Sequence, residues 1–294
     1  NTILHITYNK SKKSQNYGMD NRTYNTIYKK QKIIGGEFST HGLHPWQVRV
    51  HRVVDTTFNG SPYKFHICGA VIISEFWLIS AAHCFIGKDV AELRMTVGDF
   101  SIEVKDIDEV EFEVAQIISH ENYDDDTKDY DIALIRIKPH RDGSGIKFST
   151  YVQPICLPAS TKLPKEDTMC FISGWGKTKS EGKGHPMVLK AVKVPIISQK
   201  MCKHLHTQKV EGFVSERMFC AGYIKGGVDS CDGDSGGPLV CNIKGVYTLN
   251  GITSWGRGCA MPNFPGAYTH VAMFEKWIND TIKLYSPRNA YINV

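Results

Sequence analysis

Asp131-Ile132-Ala133-Leu134-Ile135-Arg136-Ile137 sets one acid at the head of a short, isoleucine-rich apolar run. The run is too short for a helix and reads as a buried strand. An unpaired carboxylate at its head would be costly to bury, so Asp131 needs a partner. Similar β-branched runs lie on both sides: Gln47-Val48-Arg49-Val50-His51, Ala70-Val71-Ile72-Ile73, Phe112-Glu113-Val114-Ala115 and Val246-Tyr247-Thr248-Leu249. Turn signals separate them at intervals of roughly 8–12 residues, which favours an all-β sandwich or barrel over alternating β/α units. One stretch, residues 271–285, has helical periodicity, with Val271, Phe274, Trp277, Ile278, Ile282 and Tyr285 on one face. No internal repeat marks a solenoid.

The 294 residues are 41% hydrophobic and 22% charged, an ordinary globular composition that sets aside disordered, collagen-like and coiled-coil readings. No apolar run approaches the roughly 20 residues that span a bilayer. The net charge is +5, but residues 1–32 carry seven cations and one anion. Those residues account for +6, which leaves −1 for everything after Lys32. The basic balance therefore belongs to a leader, and a nucleic-acid partner is not expected. Residues 1–32 read as a linker or activation segment, 33–286 as the folded body and 287–294 as a tail. The opening Asn1-Thr2-Ile3-Leu4-His5 has neither initiator Met nor signal core, as in a processed or truncated chain.

Nine cysteines stand at wide spacings without a C-x-x-C pair. That argues against zinc and for disulfides in an oxidising, secreted context. Sequons at Asn9, Asn21, Asn59 and Asn279 agree with a glycoprotein. Nine is odd, so one cysteine pairs elsewhere or stays reduced.

Asp232-Gly233-Asp234-Ser235-Gly236-Gly237-Pro238 surrounds one serine with glycines, which lets main-chain N–H groups converge beside the hydroxyl. Upstream, Ala81-Ala82-His83-Cys84 sets a histidine among small residues beside a cysteine. With Asp131, the chain order is His, Asp, Ser: one known order for a base, an orienting acid and a nucleophile.

These motifs, together with Ile33-Ile34-Gly35-Gly36, Pro45-Trp46-Gln47-Val48, Gly174-Trp175-Gly176 and Ser254-Trp255-Gly256, resemble the chymotrypsin family of serine proteases across residues 33–285. The resemblance implies two six-stranded antiparallel β-barrels with a cleft between them and a C-terminal α-helix. It implies Ser235 as nucleophile, His83 as base, Asp131 as orienting acid and the N–H groups of Gly233 and Ser235 as oxyanion hole, with no metal or cofactor required. Asp229 would lie at the floor of the primary pocket and select Lys or Arg, with Ser230 beside it. Ser254, Trp255, Gly256 and Gly266 would complete the substrate site. Asp232 stands where Gln is commonest, and its charge is expected to favour substrates with further basic residues.

The resemblance also implies a zymogen. Cleavage between Lys32 and Ile33, by an activating protease or by the enzyme itself, would free an ammonium on Ile33 to pair with Asp234; His66 can hold that acid in the uncut state. Disulfides are implied for Cys68–Cys84, Cys170–Cys241, Cys202–Cys220 and Cys231–Cys259. Cys156 would then join an upstream regulatory chain whose cysteine lies before Asn1, as in the mosaic proteases of the neurotrypsin and plasminogen-activator kind. Expected partners are proteins with exposed Arg or Lys and serpin- or Kunitz-type inhibitors. The stretch Asp99 to Glu109 overlaps a calcium loop of some relatives but reads first as solvated. Asp124-Asp125-Asp126 reads as an exposed turn and His204-Leu205-His206 as surface. The inserted segment Arg52 to Lys64 reads as a partner-contact loop with Asn59-Gly60 at its tip. The competing function is a catalytically idle homologue acting as a binding module, which would be expected to lack a residue of the triad or of the oxyanion loop; this chain keeps them all.

Overall fold

The computed structural model describes residues 37–58, 61–177, 186–209 and 213–286. The linker 1–32, Lys32, Ile33, the tail 287–294, the Asn59-Gly60 tip and the sequons at Asn9, Asn21 and Asn59 lie outside the described residues. Asn279 is exposed on the C-terminal helix.

Six antiparallel strands close the first barrel: β2 (Gln47–Phe58), β3 (Ser61–Ile72), β4 (Trp77–Ser80), β5 (Leu93–Val97), β6 (Val110–Ser119) and β7 (Ala133–Ile137), in the order β2-β3-β4-β7-β6-β5. Val48, Val50, Ala70, Ile79, Met95 and Leu134 are fully enclosed in it. Burying a side chain of this kind contributes about 1.5–3 kcal/mol, Ala less. The segment expected to be an inserted loop continues the β2–β3 hairpin, with backbone pairing as far as Phe58 and Ser61.

The second sheet runs β1 (Glu37–Phe38), β9 (Lys190–Pro195), β8 (Met169–Gly174), β11 (Pro238–Ile243), β12 (Val246–Trp255), β13 (Gly266–His270), β10 (Met218–Ala221). A bridge between Ile196 and Ala221 brings the ends of β9 and β10 together and rounds off a second six-stranded barrel. Two-residue β1 is an addition at its edge, paired to Lys190 and Ala191. The expected architecture of two six-stranded barrels therefore holds, with that one extra strand.

Helix α2 (Glu275–Tyr285), preceded by a 3-10 turn at Val271–Phe274, occupies the predicted stretch. Val271, Phe274 and Ile278 join the core of the first barrel, so the C-terminal helix crosses back and ties the two halves together. A second helix, α1 (Gln199–Lys209), was not expected. Its buried residues Cys202, Leu205 and His206 are too few to give a strong apolar period, and the Cys202–Cys220 disulfide staples it to β10.

Candidate active site

The chain places the acid, the imidazole and the nucleophile loop by different local devices. His83 sits in a 3-10 turn, Ala82–Phe85, directly after β4, where small Ala81 and Ala82 allow a fully buried approach and Cys84 is bonded to Cys68. Asp131 precedes β7 and is almost completely enclosed. Its Oδ1 accepts from the His83 main-chain N–H at 3.0 Å, and its Oδ2 lies 2.7 Å from His83 Nδ1. Ser254 Oγ donates to the same Oδ2 at 2.5 Å. The pairing of β12 with β13 shifts register between Thr253 and Trp255, so Ser254 sits on an irregularity of the strand, and there its hydroxyl meets the acid. Thr269 Oγ1 of β13 donates to the Asp131 carbonyl at 2.7 Å, a contact with no sequence signal of its own.

The loop around Ser235 is held by its main chain. Ser235 O accepts from Gly69 N at 2.8 Å, and Gly236 N donates to Thr253 O at 2.8 Å. Gly236 has φ +74°, and a Cβ there would lie 2.1 Å from Ser80 Oγ, so only glycine fits between the barrels. The Asp232 carbonyl accepts from Lys177 N at 2.8 Å, which leaves the opposite edge of that peptide, the Gly233 N–H, turned away from it. His66 Nε2 is hydrogen-bonded to Gly233 O at 2.8 Å.

Asp234 is buried, and burial raises its carboxyl to about 6. It accepts from Gly176 N at 2.7 Å and Cys231 N at 2.9 Å, and a Cβ at Gly174 or Gly176 would collide with it. Lys190, also enclosed, is lowered to about 8 by burial, with attraction to Asp234 opposing the shift.

Asp229, 3% exposed, lies against Gly266, with Gly256 on the far side of that glycine. Burial raises it to about 7, against hydrogen bonds from Ser230 N at 2.8 Å and Ala260 N at 3.4 Å. A Cβ on Gly266 would stand 2.8 Å from Asp229 Oδ1, and one on Gly256 3.9 Å from Gly266 Cα, so a side chain at Gly266 would crowd the acid. Ser230 Oγ lies 3.4 Å from Tyr268 Oη, a floor residue the sequence did not single out. The Cys231–Cys259 disulfide braces this region. Trp255 packs on His206, whose Nε2 lies 3.1 Å from Pro265 O. His206 is thus buried and not the surface residue expected, while His204 is exposed.

Asp232 is exposed and accepts from Lys177 Nζ at 2.8 Å, so its charge is already met. Asp124 Oδ1 caps a turn, accepting from Asp126 N and Thr127 N. Asp99, Asp106 and Glu109 bring three carboxylates together. Arg49 Nε pairs with Asp99, Asp106 holds the Phe100 and Ser101 amides, and Glu109 holds the Asp106 amide, while Asp99, buried and not solvated as expected, keeps Oδ1 without a hydrogen-bond partner among the described residues. Cys170–Cys241 completes the four implied disulfides, and Cys156 is exposed and unpaired among the described residues.

A double barrel with a buried Asp–His pair and a glycine-bound serine loop defines the class of serine endopeptidases. The Trypsin family profile matches residues 33–278. Similar proteins include trypsin II-P29 of Gallus gallus, 37% identical over 86% of this chain and 90% of its own length. Serine protease 1 of Rattus norvegicus is 38% identical over 85% and 90%. Transmembrane protease serine 7 of Mus musculus is 39% identical over 84% of this chain, which spans only 28% of that protein. The chain belongs to the trypsin family of serine peptidases. Among the described residues no helix is long and apolar enough to cross a membrane, and the four disulfides suit an oxidising compartment.

Proposed function

We propose that the chain is a secreted endopeptidase that cleaves after Arg or Lys, and that it is made as a zymogen. The observation that supports the specificity is Asp229, a carboxylate almost out of water beside the glycines Gly256 and Gly266. A guanidinium or ammonium reaching it would supply the charge that this acid lacks, whereas an apolar side chain would leave it unpaired.

Ser235 Oγ attacks the substrate carbonyl while His83 Nε2 takes its proton. Asp131 holds Nδ1 and stabilises the imidazolium, and the N–H groups of Gly233 and Ser235 receive the oxyanion. His83 then gives the proton to the leaving amine, and water repeats the sequence on the acyl-enzyme, releasing the acid and regenerating Ser235. Ser254 belongs to this machinery through its bond to Asp131 as much as to the substrate site.

Activation is assigned to cleavage at Lys32–Ile33. A buried Asp234 with a raised affinity for protons is a ready partner for a new ammonium, and pairing the two would secure the loop that carries the oxyanion donors. Asp232 favours basic neighbours in the substrate only weakly, because Lys177 answers its charge. Cys156 remains the attachment point for an upstream chain, and serpin- or Kunitz-type inhibitors would present Arg or Lys to the same acid. Hydrolysis of Arg- and Lys-amide substrates, before and after controlled cleavage at Lys32–Ile33, tests this reading. A large gain on cleavage, abolished in Ser235→Ala, is expected. Inactivity in both forms would favour the idle, binding-module alternative.

A further inference from the structure

Two residues just before Asp131 take a backbone conformation that side-chain-bearing residues avoid: Lys128 has φ +57° and Tyr130 φ +56°. An aromatic residue stays in that region only when its surroundings hold it there. The holding contacts come largely from the second barrel. Arg217, one residue before β10, donates through Nε to Asp129 Oδ1 at 3.0 Å and through Nη2 to Asp129 Oδ2. Ser215 Oγ donates to the same Oδ1 at 2.8 Å. The Arg217 guanidinium also lies 4.1 Å from the centre of the Tyr130 ring. The turn so held is tight: Ile132 N donates to Tyr130 O at 2.7 Å, with Asp131 between them. Arg217 is itself anchored, since its carbonyl accepts from His270 N of β13 at 2.8 Å.

We propose that Arg217 is a positioning residue for the orienting acid: by gripping Asp129 and Tyr130 it fixes, from the opposite barrel, the turn that presents Asp131 to His83. The proposal rests on the triad reading above. The donors on the Asp131 carboxylate, His83 and Ser254, act only if the backbone at residue 131 is already in place. Arg217 supplies that placement by spanning the boundary that the cleft follows. A bidentate guanidinium suits the task because its fork fixes direction as well as distance, which an ammonium would not. The ionisable groups around the Arg217–Asp129 clamp are Tyr130, Glu216 and His120, with Glu121 beside His120. Asp229 is held by Ser230 and Ala260 and by none of these groups, so substrate binding should be separable from the effect.

The test uses the cleaved enzyme on an Arg-amide substrate, with Arg217→Met, Arg217→Lys and the exchanged pair Asp129→Arg/Arg217→Asp. Parent turnover that Ser235→Ala abolishes establishes the triad reading first; failure there sinks that reading and not the clamp alone. Arg217→Met is expected to lower kcat by about 10- to 100-fold, the scale of a misplaced catalytic group, with KM held within about twofold. The acidic limb of its kcat/KM profile should move to lower pH, because a displaced Asp131 stabilises the imidazolium less. Arg217→Lys should recover part of the rate, and the exchanged pair more than either single reversal. A folded Arg217→Met with parental kcat and pH profile, whatever its melting temperature, overturns the proposal. So does a variant in which KM deteriorates as much as kcat. If Arg217→Met does not fold, Arg217→Lys decides: parental kcat overturns the clamp, and a reduced kcat at unchanged KM supports it.

Discussion

The Asp229 site should bind cations with a pH dependence set by the acid's own burial. The Asp229 carboxyl is raised to about 7, and burial is the largest cause. A bound benzamidine keeps its positive charge throughout the range and needs the ionised acid. Its apparent Kd should therefore follow the ionised fraction: roughly doubled at pH 7 and about tenfold weaker at pH 6 than at pH 9. The stability of the unliganded protein runs the other way. A folded value raised from 3.8 to about 7 means that the folded chain holds a proton the unfolded chain has released. Stability from this group is complete below about pH 4 and is lost as pH rises through 7, on the order of 4 kcal/mol in total. Calorimetric titration of Ser235→Ala with benzamidine from pH 5.5 to 9, beside Ser235→Ala/Asp229→Asn, measures the first effect. Proton uptake or release on binding, read in buffers of different ionisation enthalpy, checks its origin. A Kd flat between pH 6 and 9, or the same slope in the Asn variant, would refute the assignment of the titration to Asp229.

Ser254→Ala removes the 2.5 Å hydrogen bond to Asp131. Loss of a charge-assisted bond of about 1.5–3 kcal/mol should reduce kcat by about 10- to 100-fold at nearly constant KM, as steady-state kinetics on an Arg-amide would read. Gly236→Ala must fit a Cβ 2.1 Å from Ser80 Oγ and 2.5 Å from Gly69 O at a positive φ, so circular dichroism should find it unfolded or its melting temperature sharply lowered. Replacing Cys202 and Cys220 by Ala opens a loop of sequence separation 18 and should remove about 3 kcal/mol. For a domain of this size that is roughly 6–12 °C in a calorimetric melt, and an unchanged melt would show that α1 docks without its staple.

Strands were legible wherever a β-branched run was bounded by turn residues, as at Gln47–His51 and Asp131–Ile137, because a buried strand leaves its pattern in a few consecutive residues. The loop around Ser235 stands out in the sequence because glycine has few reasons to flank a serine so densely. Other features leave no local mark. Helix α1 turns only Cys202, Leu205 and His206 inward among its described side chains, so its apolar period is weak. The continuation of the β2–β3 hairpin depends on backbone pairing across the tip, which no single residue type announces. Ser254 was placed near the substrate, yet its bond to Asp131 follows from a register irregularity that no residue type announces. The partnership of Lys177 with Asp232, residues 55 apart in sequence, exists only once the barrels have formed.

The buried acids Asp131, Asp229 and Asp234 divide by what the fold supplies to them. Asp131 receives an imidazole, a main-chain amide and a hydroxyl, a set complete enough to keep one orientation. Asp229 and Asp234 each receive two main-chain amides, and burial raises both well above the ordinary carboxylate range. An ionised carboxylate so supplied lowers its energy most by gaining a cation, and the two positions open onto different sources of one. For Asp229 the cation of the proposed specificity is the substrate's own side chain. Asp234 faces inward beneath Gly174 and Gly176, where the cation of the proposed activation is the new ammonium at Ile33. Substrate recognition and activation are then the same electrostatic event at two places five residues apart in sequence. The stretch from Asp229 to Asp234, pinned at Cys231 to Cys259, couples them: ordering one end restricts the other. Benzamidine should therefore bind the cleaved chain more tightly than the uncut one, because cleavage adds an ammonium to the attraction Asp234 already has from Lys190. Equal affinity for both forms would mean that the two acids are satisfied independently.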